Sequence, residues 1–418
     1  MSTFSVLFLA ALLIATGLRL WLATRHVQHI RAHRDAVPAA FAEEISLEAH
    51  RKAADYSIAK TRVNIAAIVF DAAILLVLTF GGGLQAIDNL AASFFPGGIA
   101  RGVVFVAILA VIMSVIELPF SLYRTFGIES RFGFNKMTLA MFFVDLAKHA
   151  AIGAALGLPL LFAVLWLMAE MGEMWWLYVW IVWVVFNTLV LALYPTFIAP
   201  LFNKFSPMQD GEMKQRIENL ISRCGFTSKG LFVMDGSKRS SHGNAYFTGF
   251  GKSKRIVFFD TLLEQLAHPE VEAVLAHELG HFRLRHVRQR LLLSVALAFA
   301  GLALLGWLSR APGFYAALGV PVPSTHAALL LFAFAAPAFT FFVTPLASLW
   351  SRRHEFEADD FASRHASAAE LASALVKLHR DNASTLTPDA LYAAFYYSHP
   401  PPLVRITRLR APAAPQAS

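Results

Sequence analysis

Seven apolar segments, each close to the length that crosses a bilayer, constrain this chain more than any other feature. A membrane helix needs about 20 mostly apolar residues, because all of its backbone polar groups must be satisfied within the segment. Of the 418 residues, 57% are hydrophobic and only 15% are charged. We predict spans at residues 4–23, 63–84, 103–122, 150–168, 175–194, 291–308 and 327–349. The sequence therefore predicts an all-α polytopic membrane protein with about seven transmembrane helices.

Along the chain, connecting segments rich in lysine and arginine alternate with segments that have almost none. The segments between spans two and three, four and five, and six and seven carry almost none: Arg101 in the first, none in the second and Arg310 in the third. The other segments and the C-terminal tail are basic, and basic loops stay in the cytosol. We predict an external N-terminus and a cytosolic C-terminus. The net charge of +8 then reflects topology and attraction to membrane lipid, and gives no reason to expect nucleic acid.

The chain divides into four parts. Residues 1–200 hold transmembrane helices one to five, with a cytosolic helical segment at 25–62. Residues 201–290 form a cytosolic insert, 291–349 hold helices six and seven, and 350–418 form a cytosolic tail. Within the insert, short runs of mostly apolar and aromatic residues at 231–234, 244–248 and 255–259 predict three strands. A turn at 249–254 would join the last two. The single cysteine, Cys224, lies on an apolar helical stripe and excludes an internal disulfide.

The letters HELGH occupy positions 277–281 at the end of the insert. On a helix, His277 and His281 project from one face, so two imidazoles can bind one metal ion. Glu278 lies beside them, where it can take a proton from the attacking water and pass it to the leaving amine. Pro269 marks the start of this helix. The alternative is an ordinary solvated helix that carries these three residues by chance.

A hydrolytic zinc site needs a third protein ligand and an open fourth position. Two membrane crossings separate His281 from the segment after residue 349, so the chain returns beside the metal helix there. Glu355 and Asp359 lie four residues apart in that segment, and could supply a ligand and a carboxylate that orients a ligand imidazole. The competing candidates for the third ligand are His354, Glu357 and Asp360.

These motifs resemble those of the type I CAAX prenyl proteases, integral-membrane zinc metalloproteases of the gluzincin group. The resemblance is carried by HELGH at 277–281, SRRHEFEAD at 351–359, SHPP at 398–401 with Arg405, LPFSLYRTF at 118–126, RFGFNK at 131–136, NAYF at 244–247 and KRIV at 254–257. It implies a barrel of seven membrane helices around a chamber, capped by a mainly helical protease domain with a small β-sheet.

The resemblance also assigns roles. It implies one zinc ion bound by His277, His281 and Glu355, with Glu278 as general base and acid. Asp359 would accept a hydrogen bond from a ligand imidazole, and His399 would stabilise the oxyanion with electrostatic support from Arg405. It further implies that an exposed strand edge holds the substrate extended, which would be the strand Asn244, Ala245, Tyr246, Phe247 and Thr248.

Several alternatives stay open. Without the resemblance, the strand at 244–248 is equally well an internal hairpin, and His399 before three prolines is a turn residue. Asp71 and Glu117, inside predicted spans, indicate either a polar chamber or a local ion pair. The substrate is a peptide or protein, with or without a prenyl group. The second enzymatic hypothesis is a broader quality-control protease, and the third is a transporter with a structural zinc site. The composition favours a bacterial inner membrane, with the endoplasmic reticulum as the eukaryotic alternative.

Overall fold

Helices make up most of the molecule. The computed structural model describes residues 2–226, 228, 230–248 and 255–411. The helices within them are α1 (Thr3–Ala32), α2 (Leu47–Leu78), α3 (Gly83–Phe94), α4 (Gly98–Leu122), α5 (Leu139–Glu170), α6 (Trp175–Leu193), α7 (Glu212–Arg223), α8 (Asp260–Gln265), α9 (His268–Arg283), α10 (His286–Leu308), α11 (Pro312–Ala317), α12 (Thr325–Thr340), α13 (Thr344–His365), α14 (Ala368–Asp381), α15 (Ala390–Tyr396) and α16 (Pro402–Arg410).

The membrane part of the fold confirms the predicted class. Seven helical stretches among the described residues are long and apolar enough to cross a bilayer: Thr3–Ala32, Leu47–Leu78, Gly98–Glu129, Leu139–Glu170, Gly172–Leu201, His286–Leu308 and Thr325–His365. They overlap the seven predicted spans in order. Length and hydropathy were sufficient to find them, because a spanning helix must be long and apolar whatever its neighbours are.

The ends of the spans differ from the prediction. The second predicted span ran to residue 84, but α2 ends at Leu78, and a turn with Gly82 at φ +75° leads into the separate helix α3. The segment at 25–62 is helical, as expected, but it consists of the ends of α1 and α2 around a short turn at Ala39–Phe41. These two helices therefore extend beyond their predicted spans.

A small four-stranded sheet lies in the insert. Its strands are β1 (Phe205–Pro207), β2 (Leu231–Met234), β3 (Ala245–Thr248) and β4 (Arg255–Phe259), in the order β1-β2-β4-β3. The strands β2 and β4 are parallel, and the other two pairings are antiparallel. The three predicted strands are confirmed, whereas β1 was missed because it is only three residues long and ends in proline. The predicted turn at 249–254 lies outside the described residues.

The two largest hydrophobic cores among the described residues correspond to the two environments. The membrane core is formed by residues of α1–α6 and α10–α12, such as Phe8, Phe105 and Leu331. The protease core is formed by α7, the sheet, α8, α9, α13, α14 and α16, and includes Ile217, Phe258 and the predicted core residue Cys224. Burial raises the pKa of the Cys224 thiol. The protease region thus has its own packed interior on which a rigid site can rest.

Glu270 anchors the start of α9 to α14. Its carboxylate accepts the Ala267 backbone N–H at 2.7 Å, the Ser373 hydroxyl at 2.6 Å and the Lys377 ammonium at 2.6 Å. Burial alone would raise the pKa of Glu270, but these hydrogen bonds lower it below its ordinary value. Pro269 lies in the first turn of α9, as predicted, where its missing N–H costs nothing.

Gly280 lets α9 and α13 approach closely. A Cβ atom at Gly280 would lie 3.0 Å from Ala358 Cα and 3.1 Å from Phe361 Cβ. The packing of these two helices brings the HELGH segment beside the segment that begins at Ser351. α13 itself starts within the seventh membrane stretch, so one continuous helix connects the bilayer to the candidate site.

The two acidic residues inside the spans have different surroundings. Glu117 accepts a hydrogen bond from Arg124, 2.7 Å away and two helical turns along the same membrane stretch. Asp71 is exposed on α2. The local ion pair therefore accounts for Glu117 but not for Asp71.

Candidate active site

The two histidines of the HELGH segment face each other across a short gap. Both lie on α9, one turn apart, and their Nε2 atoms are 3.2 Å apart. This follows from the four-residue spacing, which places side chains one above the other on a helix. His277 is buried, and His281 is partly exposed.

Glu355 on α13 closes the third side of this gap. One carboxylate oxygen, Oε1, is 3.3 Å from His281 Nε2, and the other, Oε2, is 3.5 Å from His277 Nε2. The carboxylate is buried, and Oε2 forms no hydrogen bond within the described part of the chain. An unsatisfied buried oxygen is rare, and this one lies between two imidazoles with the Arg405 guanidinium 3.6 Å away, a position that suits a bound cation.

The geometry of these three groups fits a metal ion. Ligand atoms about 2.0–2.1 Å from a tetrahedral zinc ion lie roughly 3.4 Å apart, and the nearest ligand atoms of each pair of residues, counting both oxygens of Glu355, are 3.2, 3.3 and 3.5 Å apart. Two nitrogens and one carboxylate oxygen also leave a fourth position for water or substrate. Among the described residues, His277, His281 and Glu355 form one of two groups able to hold a metal.

The competing candidates for the third ligand lie elsewhere. Asp360 pairs with Arg408 at 2.7 Å on the surface. His354 and Glu357 belong to the second group, with His286. The structure therefore brings only Glu355, of the four candidates in this segment, between the two helical imidazoles.

A buried ion pair supports His277 from behind. Its Nδ1 atom is 2.8 Å from Asp359 Oδ1, and Arg405 on α16 donates two hydrogen bonds to the same carboxylate, at 2.6 and 2.9 Å. Burial alone would lower the pKa of His277, but the neighbouring carboxylates of Asp359 and Glu355 outweigh it and raise the pKa to about 9. Arg405 thus contacts the carboxylate that orients the imidazole, a contact that its sequence position did not reveal.

A second histidine supports His281. The Nδ1 atoms of His281 and His286 are 3.0 Å apart, and His286 Nε2 is 3.0 Å from Glu357 Oε2. His286 is the first residue of α10, and Arg285 before it has φ +62°, a left-handed conformation that separates α9 from α10. Sequence reasoning missed His286, although its place five residues after His281 was a signal.

Glu278 and His399 are positioned differently around the three ligands. Glu278 is partly buried beside them on α9, and burial raises the pKa of its carboxyl group. His399 Nε2 is 3.4 Å from Glu355 Oε2, and its side chain is 65% exposed to a cavity. Partial desolvation by the cavity walls lowers the pKa of His399. A carboxyl group with a raised pKa and an exposed imidazole are the kinds of group that donate and accept protons in hydrolysis.

The cavity next to His399 extends toward the membrane helices. Its volume is about 1060 Å³, and it is lined by polar groups from several elements, including Lys60, Arg124, Glu129 and His242. A second cavity of about 750 Å³ is lined almost entirely by apolar side chains of α5, α6, α10 and α12, and reaches Arg290 and Trp350. The Trp350 ring lies against His354, with centroids 4.6 Å apart, one residue from Glu355.

The predicted substrate strand is an edge strand in the described sheet. β3 pairs with β4 on one side, and no other described strand pairs with its opposite side. The Asn244 carbonyl accepts the Phe259 N–H, and the Phe247 ring contacts Phe282 of α9, with centroids 4.9 Å apart. An open edge next to the metal helix can accept an extended peptide.

Comparison with known proteins agrees with this arrangement. Residues 26–204 match the family model "CAAX prenyl protease N-terminal, five membrane helices", and residues 207–413 match "Peptidase family M48". A CAAX prenyl protease 1 homolog from Caenorhabditis elegans is 34% identical over 97% of this chain and 98% of its own length. CAAX prenyl protease 1 from Saccharomyces cerevisiae is 33% identical over 91% of this chain and 90% of its own length.

The chain belongs to peptidase family M48. A solved structure, the crystal structure of S. mikatae Ste24p, covers 98% of this chain and is itself covered completely, with a TM-score of 0.91 and 31% identity. The chain is therefore a membrane metalloprotease that hydrolyses peptide bonds, and M48 membership implies a metal that is generally zinc. This excludes the transporter with a purely structural metal site.

Proposed function

We propose that this chain is a membrane endopeptidase with one zinc ion bound by His277, His281 and Glu355. The observation that carries the proposal is the convergence of His277, His281 and Glu355, whose nearest ligand atoms are 3.2 to 3.5 Å apart in each pair, from two helices separated by a membrane hairpin. An ion bound there would polarise the scissile carbonyl and lower the pKa of the attacking water.

The residues around this site carry out proton transfer, stabilise the developing negative charge and orient the ligands. Glu278 takes the proton from the attacking water and returns it to the departing nitrogen. His399, whose side chain faces the cavity, donates a hydrogen bond to the oxygen on which negative charge develops. Asp359 holds the His277 tautomer that leaves Nε2 free for the metal, and Arg405 holds Asp359, so Arg405 is a positioning residue.

The substrate backbone binds to the edge of β3, at Asn244, Ala245, Tyr246, Phe247 and Thr248. Binding by strand addition uses main-chain hydrogen bonds and keeps the scissile bond extended beside the metal helix. Exchange of a substrate amide for an ester at the positions that pair with β3 would test this, because it removes single N–H donors. The strand assignment would be wrong if no such exchange raised KM.

Two substitutions separate metal binding from proton transfer. Glu278→Gln should keep stoichiometric zinc and lose turnover, because an amide cannot accept the water's proton. Glu355→Ala should lose zinc and activity together. Zinc content by atomic absorption and cleavage of a fluorogenic peptide would measure both, with Glu264→Gln, an exposed glutamate of α8, as control. Full activity in Glu278→Gln would contradict the mechanism.

The substrates are prenylated proteins cleaved near their C-termini. The curated relatives are named CAAX prenyl proteases, and the apolar cavity next to Trp350 and Arg290 offers space for an isoprenoid chain. A farnesylated peptide should have a kcat/KM at least tenfold above that of its unmodified twin, which corresponds to only about 1.4 kcal/mol of apolar burial. Equal rates for both peptides would favour the broader quality-control protease.

A substitution inside the apolar cavity sharpens this test. Ala298 lines the cavity on α10, whereas Ala296 lies on another face of the same helix and does not line it. Ala298→Trp should fill the cavity and reduce cleavage of the farnesylated peptide only, while Ala296→Trp should leave both peptides unchanged. A uniform loss with both substrates would indicate a structural effect and remove this support.

The catalytic side faces the cytosol, whether the membrane is the inner membrane of a bacterium, which the composition favours, or the endoplasmic reticulum of a eukaryote. The support is the alternation of basic and non-basic connecting segments. The only native cysteine is buried, so Cys224→Ser gives a background for labelling. In that background, Arg364→Cys should react with an impermeant maleimide only in inside-out vesicles, and Asn89→Cys only in right-side-out ones. The reverse pattern would invert the assigned topology.

A further inference from the structure

A second group of metal-binding side chains lies directly beside the first. His286, His354 and Glu357 each offer one ligand atom, and these atoms lie within 4.8 Å of one another. His286 Nε2 is 3.0 Å from Glu357 Oε2, and the His286 and His354 rings stack with centroids 3.9 Å apart. The donor set, two imidazoles and one carboxylate, is the same as that of the proposed catalytic site.

His354 has a feature that packing alone does not explain. The residue is 3% exposed, and its Nδ1 atom is buried without a hydrogen-bond partner in the described part of the chain. An unsatisfied buried polar atom destabilises the folded state, so few such atoms occur where a ring serves only to fill space. The ring is held between His286 and Trp350, close to Glu357.

The two groups share a hydrogen bond, and its proton can be assigned. When His281 binds a metal through Nε2, its single ring proton is on Nδ1, 3.0 Å from His286 Nδ1. His286 must then accept at Nδ1 and carry its own proton on Nε2, where it donates to Glu357 at 3.0 Å. The contact from Glu357 through His286 therefore supports the metal-binding form of His281.

We propose that His286, His354 and Glu357 form a second divalent-cation site, and that filling this site inhibits the protease. The inference rests on the proposed function, because it requires His281 to be a ligand of the catalytic ion. A cation between His286 Nε2 and Glu357 takes the place of the Nε2 proton, so the proton of a neutral His286 ring is on Nδ1. Two N–H groups then face each other across the 3.0 Å gap to His281, and this contact must break.

The ligands select the class of cation. Imidazole nitrogens with one carboxylate suit Zn²⁺, Co²⁺ or Ni²⁺, whereas Ca²⁺ and Mg²⁺ prefer oxygen ligands alone. The ligand atoms must also contract toward the roughly 3.4 Å spacing of a tetrahedral ion, and one of the two stacked rings, which are only 4° from parallel, must turn so that both nitrogens face the ion. Glu357, with a side chain 38% exposed, can move to allow this.

The second site should bind more weakly than the first. Arg353 donates to Glu357 at 3.0 Å and would compete with a cation for that carboxylate. Arg290 donates a hydrogen bond to the Ser351 hydroxyl near His354, and it adds a further positive charge to this surface. The first site has a buried glutamate instead, between two imidazoles whose Nδ1 atoms both have partners.

Zinc titration of the purified full-length protein tests the proposal. The probe is ZnCl₂, and the two readouts are bound equivalents by equilibrium dialysis and peptidase activity. The variant His354→Phe keeps an aromatic ring against His286 but removes the nitrogen ligand. His365→Phe on the same helix, whose ring stacks on Phe361 at 4.0 Å, is the matched control.

The wild type and His365→Phe should bind a second equivalent and lose activity as it fills. His354→Phe should retain one equivalent and basal activity, and its inhibition midpoint should rise at least tenfold. If His354→Phe fails to fold, His354→Leu replaces it, with the same loss of the second equivalent expected. A wild type that binds one equivalent at inhibitory concentrations, or an unchanged midpoint in the variant, would overturn the proposal. Absence of the first, tight equivalent would instead contradict the proposed function.

Discussion

The two imidazoles of the candidate site are supported in opposite ways. His277 donates to Asp359, a carboxylate with a side chain 1% exposed that is also held by the buried Arg405. His281 contacts a neutral histidine, His286, whose other nitrogen reaches the partly exposed Glu357. The first arrangement fixes a ligand inside the protein at a high desolvation cost, and the second connects a ligand to the surface near the membrane. One side of the site is therefore rigid and the other adjustable.

The largest effect should come from breaking the buried pair of Arg405 and Asp359 that supports His277. Arg405→Met leaves Asp359 buried beside His277 without its cation, and loss of one partner of a buried pair destabilises a protein by about 3–5 kcal/mol. Thermal unfolding of the detergent-solubilised protein would show this as a large fall in Tm.

Arg408→Met is the matched control for Arg405→Met. Its pair with Asp360 lies on the same helices, but both side chains are almost half exposed, so the expected loss is only about 0–1 kcal/mol. Equal Tm values for the two variants would mean that burial of the pair has no energetic consequence.

The next largest effect should come from separating α9, which carries the two histidines, from α13, which carries Glu355. Gly280→Ala introduces a Cβ that meets Ala358 Cα at 3.0 Å, and both helices contribute backbone to that contact. Overpacking of this kind costs about 1–3 kcal/mol, and here it would also displace Glu355 from the two histidines. We expect a lower Tm together with faster zinc loss to a chelator.

Gly153→Ala provides the comparison for Gly280→Ala. A Cβ at Gly153 on α5 meets nothing within 4 Å, so alanine should be neutral or stabilise by up to about 1 kcal/mol. If Gly280→Ala behaved in the same way, the close approach of α9 and α13 would not control the spacing of the ligands.

Much of this site could be predicted from the sequence, because its signals are local or topological. The spacing of His277 and His281 requires only a helix, and the membrane hairpin between spans six and seven explains why Glu355 returns beside them. The spans themselves follow from length and hydropathy. Their exact ends do not, since α2 ends at a turn while the hydrophobic run continues.

The support of each ligand could not be predicted in the same way. His286 contacts His281 only because Arg285, a residue with no special preference for it, adopts a left-handed conformation between the two helices. Arg405 contacts Asp359 through the packing of α16 on α14 and α13, which no local pattern encodes. Three-dimensional packing thus determines how the ligands are held, whereas spacing determines which residues they are.

Asp359→Asn tests how much the buried carboxylate behind His277 contributes to zinc affinity. The amide oxygen can still accept from His277 Nδ1, but the negative charge that opposes Arg405 is lost. Substitutions behind a metal ligand cost about 10–100-fold in metal affinity, and a site this buried should lie near the upper end. Zinc competition with a chelating dye would measure the change, and a loss below tenfold would mean that the buried carboxylate does not tune its ligand.

Glu357→Gln makes the corresponding change on the His281 side and should have the smallest effect. The amide can still accept from His286 Nε2, the side chain is already 38% exposed, and water can replace a weakened contact. We expect the affinity for the first zinc ion to fall by less than about tenfold, or about 1.4 kcal/mol. The same chelator competition would measure it beside Asp359→Asn. If Glu357→Gln weakened zinc binding as much as Asp359→Asn does, the two supports would be energetically equivalent, and the surface-connected side would be as rigid as the buried one.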